Sequence, residues 1–140
     1  MSTANAGRAP FTLTVRVYYE DTDAGGVVYY ANYLKFMERA RTEWLSSLGF
    51  DVAALERDER VSFVVHRADV EFRAPARLSD RLDVSVSLVE HGRASLVAEQ
   101  EVKRAADLIA RGRITLACVD HDSWRPARVP ARLAAKLEAI

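Results

Sequence analysis

The hydrophobic pattern near the N-terminus changes from a period of two to a period close to 3.6 residues. Between Thr12 and Tyr18 apolar and polar residues alternate, which predicts a strand with one face on a core. Beyond two adjacent glycines, apolar residues recur at spacings of three and four, and polar residues fill the opposite side. These apolar positions are Tyr30, Tyr33, Leu34, Met37, Ala40, Trp44, Leu45 and Leu48. The spacing predicts one long amphipathic helix, which ends where Gly49 suits a left-handed cap.

Four further strands are predicted in the remainder of the chain. The first is rich in Val and Phe, and the second alternates apolar with polar residues. Short polar turns separate the last three, which predicts an antiparallel meander. Their predicted ranges are Val61–Phe72, Leu82–Leu88, Ser95–Val102 and Leu108–Val119. The stretch DSWRPARVP then takes the chain off the sheet, and Ala131–Ala139 is predicted to form a short terminal helix.

The order of these elements predicts the fold class. One long helix followed by strands with short turns is typical of an α+β fold, here an antiparallel sheet of about five strands wrapped around a central helix. A chain of 140 residues without repeats or a linker predicts one domain over residues 11–140, preceded by a flexible N-terminus over residues 1–10. A single helix covers a sheet face incompletely, so we expect a homo-oligomer that buries the open edges and faces.

Composition narrows the partners and the compartment. Twenty Lys and Arg balance twenty Asp and Glu, which gives no electrostatic reason to expect nucleic acid or an anionic membrane. No apolar run reaches the length of a membrane span or a signal peptide, so a cytoplasmic protein is expected. Cys118 lies in the apolar run ITLACV and is predicted to be an inert core thiol. His66, His91 and His121 lack ligand spacing, so no metal is expected.

The stretch EDTDAGGVVYYANY, between the first strand and the helix, admits three interpretations. The plainest is a polar turn whose Asp and Gly residues supply positive φ and cap the helix. A calcium loop matches Asp21, Asp23 and Gly26 to its first, third and sixth places, but Gly25 and Asn32 fail its fifth and twelfth. Dinucleotide and phosphate loops fail too, because their glycine patterns are absent.

The third interpretation is catalytic. Gly25 and Gly26 let the backbone approach a ligand closely, and the following helix offers unpaired N–H groups and a positive dipole end to a developing negative charge. A carboxylate just upstream can then act on a carbonyl carbon that is polarised there. Asp23 is the better candidate, because Glu20 and Asp21 lie nearer the strand end and suit surface charge or turn hydrogen bonds.

The run VRVYYEDTDAGGVVYYANYLKFMERARTEWL resembles the signature of hot-dog-fold acyl-CoA thioesterases of the 4-hydroxybenzoyl-CoA thioesterase family, particularly the branch associated with the Tol–Pal envelope system. ERVSFVVHRADVEFRAPARLSDRL, HGRASLV and ACVDHDSWRPARVP extend the likeness over residues 14–133. The resemblance implies a hot-dog fold, homodimers or homotetramers with active sites at the dimer interface, acyl-CoA as substrate and no cofactor. It also implies lipid-synthesis or envelope-associated partners. By this resemblance Asp23 is the catalytic carboxylate, acting as nucleophile or general base. Backbone N–H around Tyr30 then forms the oxyanion site.

The chain departs from that branch at Tyr30, where Tol–Pal-associated members typically have His and hydroxybenzoyl-CoA thioesterases have Tyr. An imidazole mechanism is therefore excluded at this position, and the phenol is a candidate for lining the acyl pocket. Both fatty and aromatic acyl-CoA stay open as substrates. In the family the turn that carries Arg93 and Ser95 contacts CoA, so these two residues are candidates for CoA binding, with exposed turn residues as the alternative.

Two other functions compete with thioester hydrolysis. A hot-dog hydratase or dehydratase pairs a catalytic His with an acid, but the chain has no D-x-N-x-x-H pattern and no His on the long helix. A non-catalytic acyl-binding or scaffold protein of lipid or envelope metabolism is the second alternative, and the complete D-x-D-A-G-G motif argues against it.

Overall fold

Five strands form a single antiparallel sheet in the order β1-β3-β4-β5-β2. The computed structural model describes residues 10–140, so the predicted flexible segment 1–10 lies outside the described residues except for Pro10. The strands are β1 (Phe11–Arg16), β2 (Val61–Phe72), β3 (Arg81–His91), β4 (Ser95–Arg104) and β5 (Asp107–Asp120). The predicted α+β class and the meander of the last three strands are confirmed, and β2 has its predicted bounds.

The long helix α1 (Asn32–Ser47) packs against β1, β3 and β4. It starts two residues later than predicted, so Tyr30 precedes the helix and is exposed. Leu34 lies within the helix but is exposed as well. Placing these two residues on the core face was wrong, because the buried stripe runs through Phe36 and Arg41 instead. The predicted cap is confirmed: Gly49 has a φ of 93°, its N–H donates to Ser46, and Phe50 N–H donates to Leu45 O over 2.9 Å.

A polar network lies inside the core between α1 and the sheet. Arg41 is 8% exposed, and its Nη1 donates to Oε1 of the fully buried Gln100 over 2.8 Å. Gln100 Nε2 donates to the carbonyl oxygens of Met37 and Ser85. Burial lowers the pKa of the Arg41 guanidinium. One side chain of β4 therefore fixes the middle of α1 on the sheet.

The remaining elements are short. Beyond α1 lie a single helical turn, α2 (Val52–Ala54), and a π-helical turn (Leu55–Glu59), neither of which the pattern predicted. The terminal helix α3 (Ala131–Ala139) has its predicted bounds and buries Leu133 and Leu137 completely. Cys118 is fully buried as expected, and burial raises the pKa of its thiol to about 11. Over the described range, none of the helices is long and apolar enough to span a membrane.

The sheet has two unequal edges. The β1 edge is 6 residues long, whereas the β2 edge is 12 residues long. Most side chains in the second half of β2 are exposed, and Phe72 at its end is 47% exposed. Val65, in the middle of β2, is 52% exposed. A long edge with free backbone groups and exposed apolar side chains is the feature that strand pairing with another chain would cover.

Candidate active site

The segment between β1 and α1 forms a tight hairpin that is bound to the rest of the sheet. Thr22 bridges to Val28, and Val27 bridges to Arg77 in the connection before β3. Gly26 N–H donates to Asp23 O over 3.0 Å, and Gly26 has a φ of 81°, a turn geometry that favours glycine. The hairpin therefore has a defined shape that holds Asp23 at its turn.

Asp23 lies at the start of this turn with its carboxylate exposed. Oδ1 accepts the N–H of Gly25 over 2.8 Å, whereas Oδ2 has no hydrogen-bond partner within residues 10–140. A Cβ added to Gly25 would lie 3.2 Å from Asp23 Oδ1, so the glycine leaves room for the carboxylate to fold over the turn. One oxygen is thereby oriented by the backbone, and the other is available to a reactant.

Asp21 has a different role from Asp23. It is only 7% exposed, and its Oδ2 accepts Tyr18 N–H over 2.8 Å. Its carbonyl oxygen accepts both Tyr29 N–H and Asn32 Nδ2 over 2.9 Å. The expectation that Asp21 serves turn hydrogen bonding is confirmed. Through Asn32, this residue also holds the first turn of α1 against the hairpin.

Unpaired backbone N–H groups lie just before α1. Asn32, Tyr33 and Leu34 donate to carbonyl oxygens three residues earlier, which leaves the donors of Tyr30 and Ala31 without an acceptor in the described part of the chain. Their position at the amino end of a helix of 16 residues adds the positive end of the helix dipole. Two donors seven and eight residues after Asp23 can therefore bind an oxyanion.

A group of four aromatic rings flanks these donors. Tyr30 contacts Tyr29 at 5.0 Å and Phe72 at 5.8 Å between ring centroids. Phe72 also contacts Tyr33 at 5.8 Å. Tyr33 is buried, whereas Tyr29, Tyr30 and Phe72 are 46%, 60% and 47% exposed. This aromatic group presents an open apolar surface beside the hairpin.

The connection between β2 and β3 supports the same end of the sheet. Val28 N–H donates to Ala76 O over 2.8 Å, and Ala76 N–H donates to the Tyr33 hydroxyl over 3.2 Å. Asp80 Oδ2 accepts Arg77 N–H and Arg104 Nη1, each over 2.9 Å. The Arg77 backbone bond and, after it, Arg104 hold the pKa of the Asp80 carboxyl below its usual value. Burial raises the pKa of the Tyr33 phenol.

The two predicted CoA-binding residues lie far from Asp23 within one chain. β1 ends at Arg16 opposite Arg81, the first residue of β3, and the hairpin follows from there. Arg93 and Ser95 lie beyond the other end of β3, which is 11 residues long or about 35 Å at about 3.3 Å per residue. Arg93 instead borders a groove of about 510 Å³ between that turn and α3, together with Arg128. One protomer does not bring these residues together with the hairpin.

Two of the three histidines, His91 and His121, make polar contacts. No group of three or more His, Cys, Asp or Glu side chains among the residues the structure describes is arranged to hold a metal ion. His91 lies 3.2 Å from Glu138, and His121 lies 3.0 Å from Ser62 Oγ and 3.4 Å from Glu56. Ser62 lies within β2, paired with β5, and not on the strand-to-helix elbow of a serine hydrolase.

Sequence reasoning missed Asn32 and Phe72. Asn32 is 8% exposed and bonds to Asp21, and a polar residue at the first position of the helix was the pattern that pointed to it. No sequence pattern pointed to Phe72, because it ends a strand 42 positions after Tyr30 and the two residues are neighbours only in the fold. Only the pairing of β2 with β5 carries Phe72 to the hairpin end of the sheet.

Known proteins resemble the chain over most of its length. The family model of the thioesterase-like superfamily matches residues 17–137. The acyl-CoA thioester hydrolase YbgC of Escherichia coli O6:H1 is 43% identical over 129 residues, which cover 91% of this chain and 96% of that protein. A probable thioesterase from Bartonella henselae superimposes with a TM-score of 0.83 at 30% identity, covering 87% of this chain and all of its own.

A third similar protein has an aromatic substrate in its name. The 1,4-dihydroxy-2-naphthoyl-CoA thioesterase of Synechocystis superimposes with a TM-score of 0.86 at 26% identity, covering 94% of this chain and 98% of that one. The family model, the sequence identity and the structural superpositions thus agree. The chain belongs to the thioesterase-like superfamily and is a thioesterase with the hot-dog fold.

Proposed function

We propose that the protein hydrolyses the thioester of a fatty or aromatic acyl-CoA to the free acid and CoA, with Asp23 as the catalytic carboxylate. The observation that carries the proposal is the arrangement of Asp23 and the helix start. A carboxylate oriented by Gly25 N–H precedes two backbone donors, those of Tyr30 and Ala31, that lack an acceptor within residues 10–140. A nucleophile or base followed by an oxyanion site is what acyl transfer requires.

The chemistry follows from this arrangement. The thioester oxygen accepts the N–H of Tyr30, and the dipole of α1 stabilises the negative charge that develops on it. Asp23 takes a proton from the attacking water as a general base, or attacks the carbonyl carbon itself to form a mixed anhydride that water then hydrolyses to the free acid. CoA leaves as the thiolate. The hairpin glycine Gly26 keeps the backbone close to the acyl group, and no cofactor takes part.

We further propose that a second copy completes the site. Antiparallel pairing of two β2 edges would place the start of one β2 beside the end of the other. The start of β2 lies at the same sheet end as the turn that carries Arg93 and Ser95. Arg93 and Ser95 of the second copy would then lie toward Asp23 of the first, where they can bind CoA phosphate or pantetheine. A homodimer, or a homotetramer built from such dimers, would bring Arg93 and Ser95 of one copy toward Asp23 of the other.

The range of acyl groups rests on the relatives and on the aromatic group. The E. coli relative is named for acyl-CoA in general, and the Synechocystis protein for a naphthoyl-CoA.

The cytoplasmic location and the envelope-associated or lipid-synthesis partners stay predictions. A hydratase is disfavoured because α1 carries no histidine. A non-catalytic acyl-binding protein is the remaining alternative.

The test is thiol release from acetyl-, hexanoyl-, palmitoyl- and benzoyl-CoA by the wild type, Asp23→Asn and Glu20→Gln. Asn preserves the shape of Asp23 but removes the charge, so kcat should fall at least about a hundredfold. Glu20→Gln removes an exposed carboxylate of the same segment and should retain activity. Unchanged turnover in Asp23→Asn would reject the assigned role, and an inactive wild type would favour the acyl-binding alternative. Light scattering of the wild type should give at least twice the mass of one chain.

A further inference from the structure

The aromatic group beside the hairpin is an exposed apolar feature that takes no part in the proposed bond-making and bond-breaking steps. Phe72 lies at the end of β2 and is 47% exposed, although it contacts the buried Tyr33. Its ring meets that of Tyr30 edge to face, with an interplanar angle of 81°. Exposed rings that cluster at one place usually mark a contact surface.

The position of these rings ties them to the reacting groups. The backbone N–H of Tyr30 is a proposed oxyanion donor, so its side chain and whatever that side chain touches lie next to the thioester carbonyl. Phe72 is held there by two ring contacts from residues on either side of the start of α1. An acyl group attached to that carbonyl can therefore reach the exposed ring of Phe72.

We propose that Phe72 is a specificity-determining residue that contacts the acyl group and favours aryl over alkyl acyl-CoA. This inference rests on the proposed function. Aromatic rings attract one another edge to face and in offset stacks beyond the effect of buried area, whereas an alkyl chain gains only from burial. Tyr29, Tyr30 and Phe72 are all exposed, and Tyr30 contacts both of the other rings, so together they offer an aromatic surface that suits a flat acyl group.

The experiment compares benzoyl-CoA with hexanoyl-CoA for the wild type, Phe72→Leu, Phe72→Tyr and Phe11→Leu. Phe11→Leu is the matched control, because it makes the same change on β1, at the opposite edge of the sheet. The ratio of kcat/KM for benzoyl-CoA to that for hexanoyl-CoA should fall about three- to tenfold in Phe72→Leu. Phe72→Tyr keeps the ring and should keep the ratio, as should Phe11→Leu. Thermal melts verify that each variant is folded.

Binding separates this inference from the proposed function. The same four proteins are titrated calorimetrically with S-benzyl-CoA and S-hexyl-CoA, thioethers that cannot be hydrolysed. The wild type could hydrolyse neither thioester and still bind S-benzyl-CoA more tightly than S-hexyl-CoA. If only Phe72→Leu then lost that preference, the inference about Phe72 would be retained and the proposed hydrolysis rejected. An unchanged ratio in Phe72→Leu, an equal fall in Phe11→Leu, or a wild-type preference for the hexyl compounds would overturn the inference.

Discussion

Replacing Gln100 by Leu removes the acceptor of a buried charge. Gln100 is fully buried, and its Oε1 accepts from Arg41 Nη1 over 2.8 Å. Its Nε2 donates to Met37 O over 3.0 Å and to Ser85 O over 3.2 Å. Leucine fills a similar volume, so the change tests the polar contacts and leaves little cavity. Because Arg41 keeps its charge, the guanidinium is left in the core without its acceptor.

The magnitude follows from these contacts. A hydrogen bond to a charged group contributes about 1.5–3 kcal/mol, and neutral bonds about 0.5–1.5 kcal/mol each. Part of the loss is offset because leucine is better buried than glutamine. We expect the free energy of unfolding to fall by about 3 kcal/mol, which corresponds to a decrease in Tm of about 6–12 °C for a chain of this size.

The assay is urea unfolding followed by circular dichroism at one fixed protein concentration, since any oligomer makes stability depend on concentration. Arg41→Met in the Gln100→Leu background removes the uncompensated charge and should recover at least about 1 kcal/mol. Glu99→Gln, an exposed change on the same strand, is the control and should lie within about 0.5 kcal/mol of the wild type. A Gln100→Leu variant as stable as that control, or a double mutant no more stable than Gln100→Leu, would refute the reasoning.

Three further outcomes are expected at other positions. Gly25→Ala should lower kcat with little change in Tm, because the new Cβ would lie 3.2 Å from Asp23 Oδ1 and displace the carboxylate; unchanged thiol release would contradict this. Asp80→Asn should cost about 1 kcal/mol at neutral pH, because the native carboxylate accepts Arg77 N–H and Arg104 Nη1. Since the folded pKa of Asp80 is depressed, this contribution is present above the unfolded pKa of about 3.9 and is lost as the pH falls through the folded pKa. Urea titrations at pH 7 and pH 3 should therefore show the difference shrink, and a constant difference would count against it. Cys118, buried with a thiol pKa of about 11, should react with Ellman's reagent at pH 8 only after unfolding, and rapid native reaction would show that the site opens.

Local patterns determined most of the elements and the first member of the proposed site. Alternation along β1 and β3 and the spacing within α1 depend only on which side chains share a face, which neighbouring residues decide. The glycine turn and its carboxylate, Asp23, are local too. The sequence therefore indicates the strands, both main helices, the cap at Gly49 and the carboxylate, together with the family that they resemble.

Only the tertiary structure decided which distant residues meet. Gln100 and Arg41 are 59 positions apart and form one buried contact, and the partners of an isolated buried polar residue cannot be read from periodicity. The order of the sheet brings Phe72 to Tyr30 and leaves Arg93 at the opposite end. Register and strand order arise from packing summed over the whole sheet, and no short stretch of sequence contains that sum.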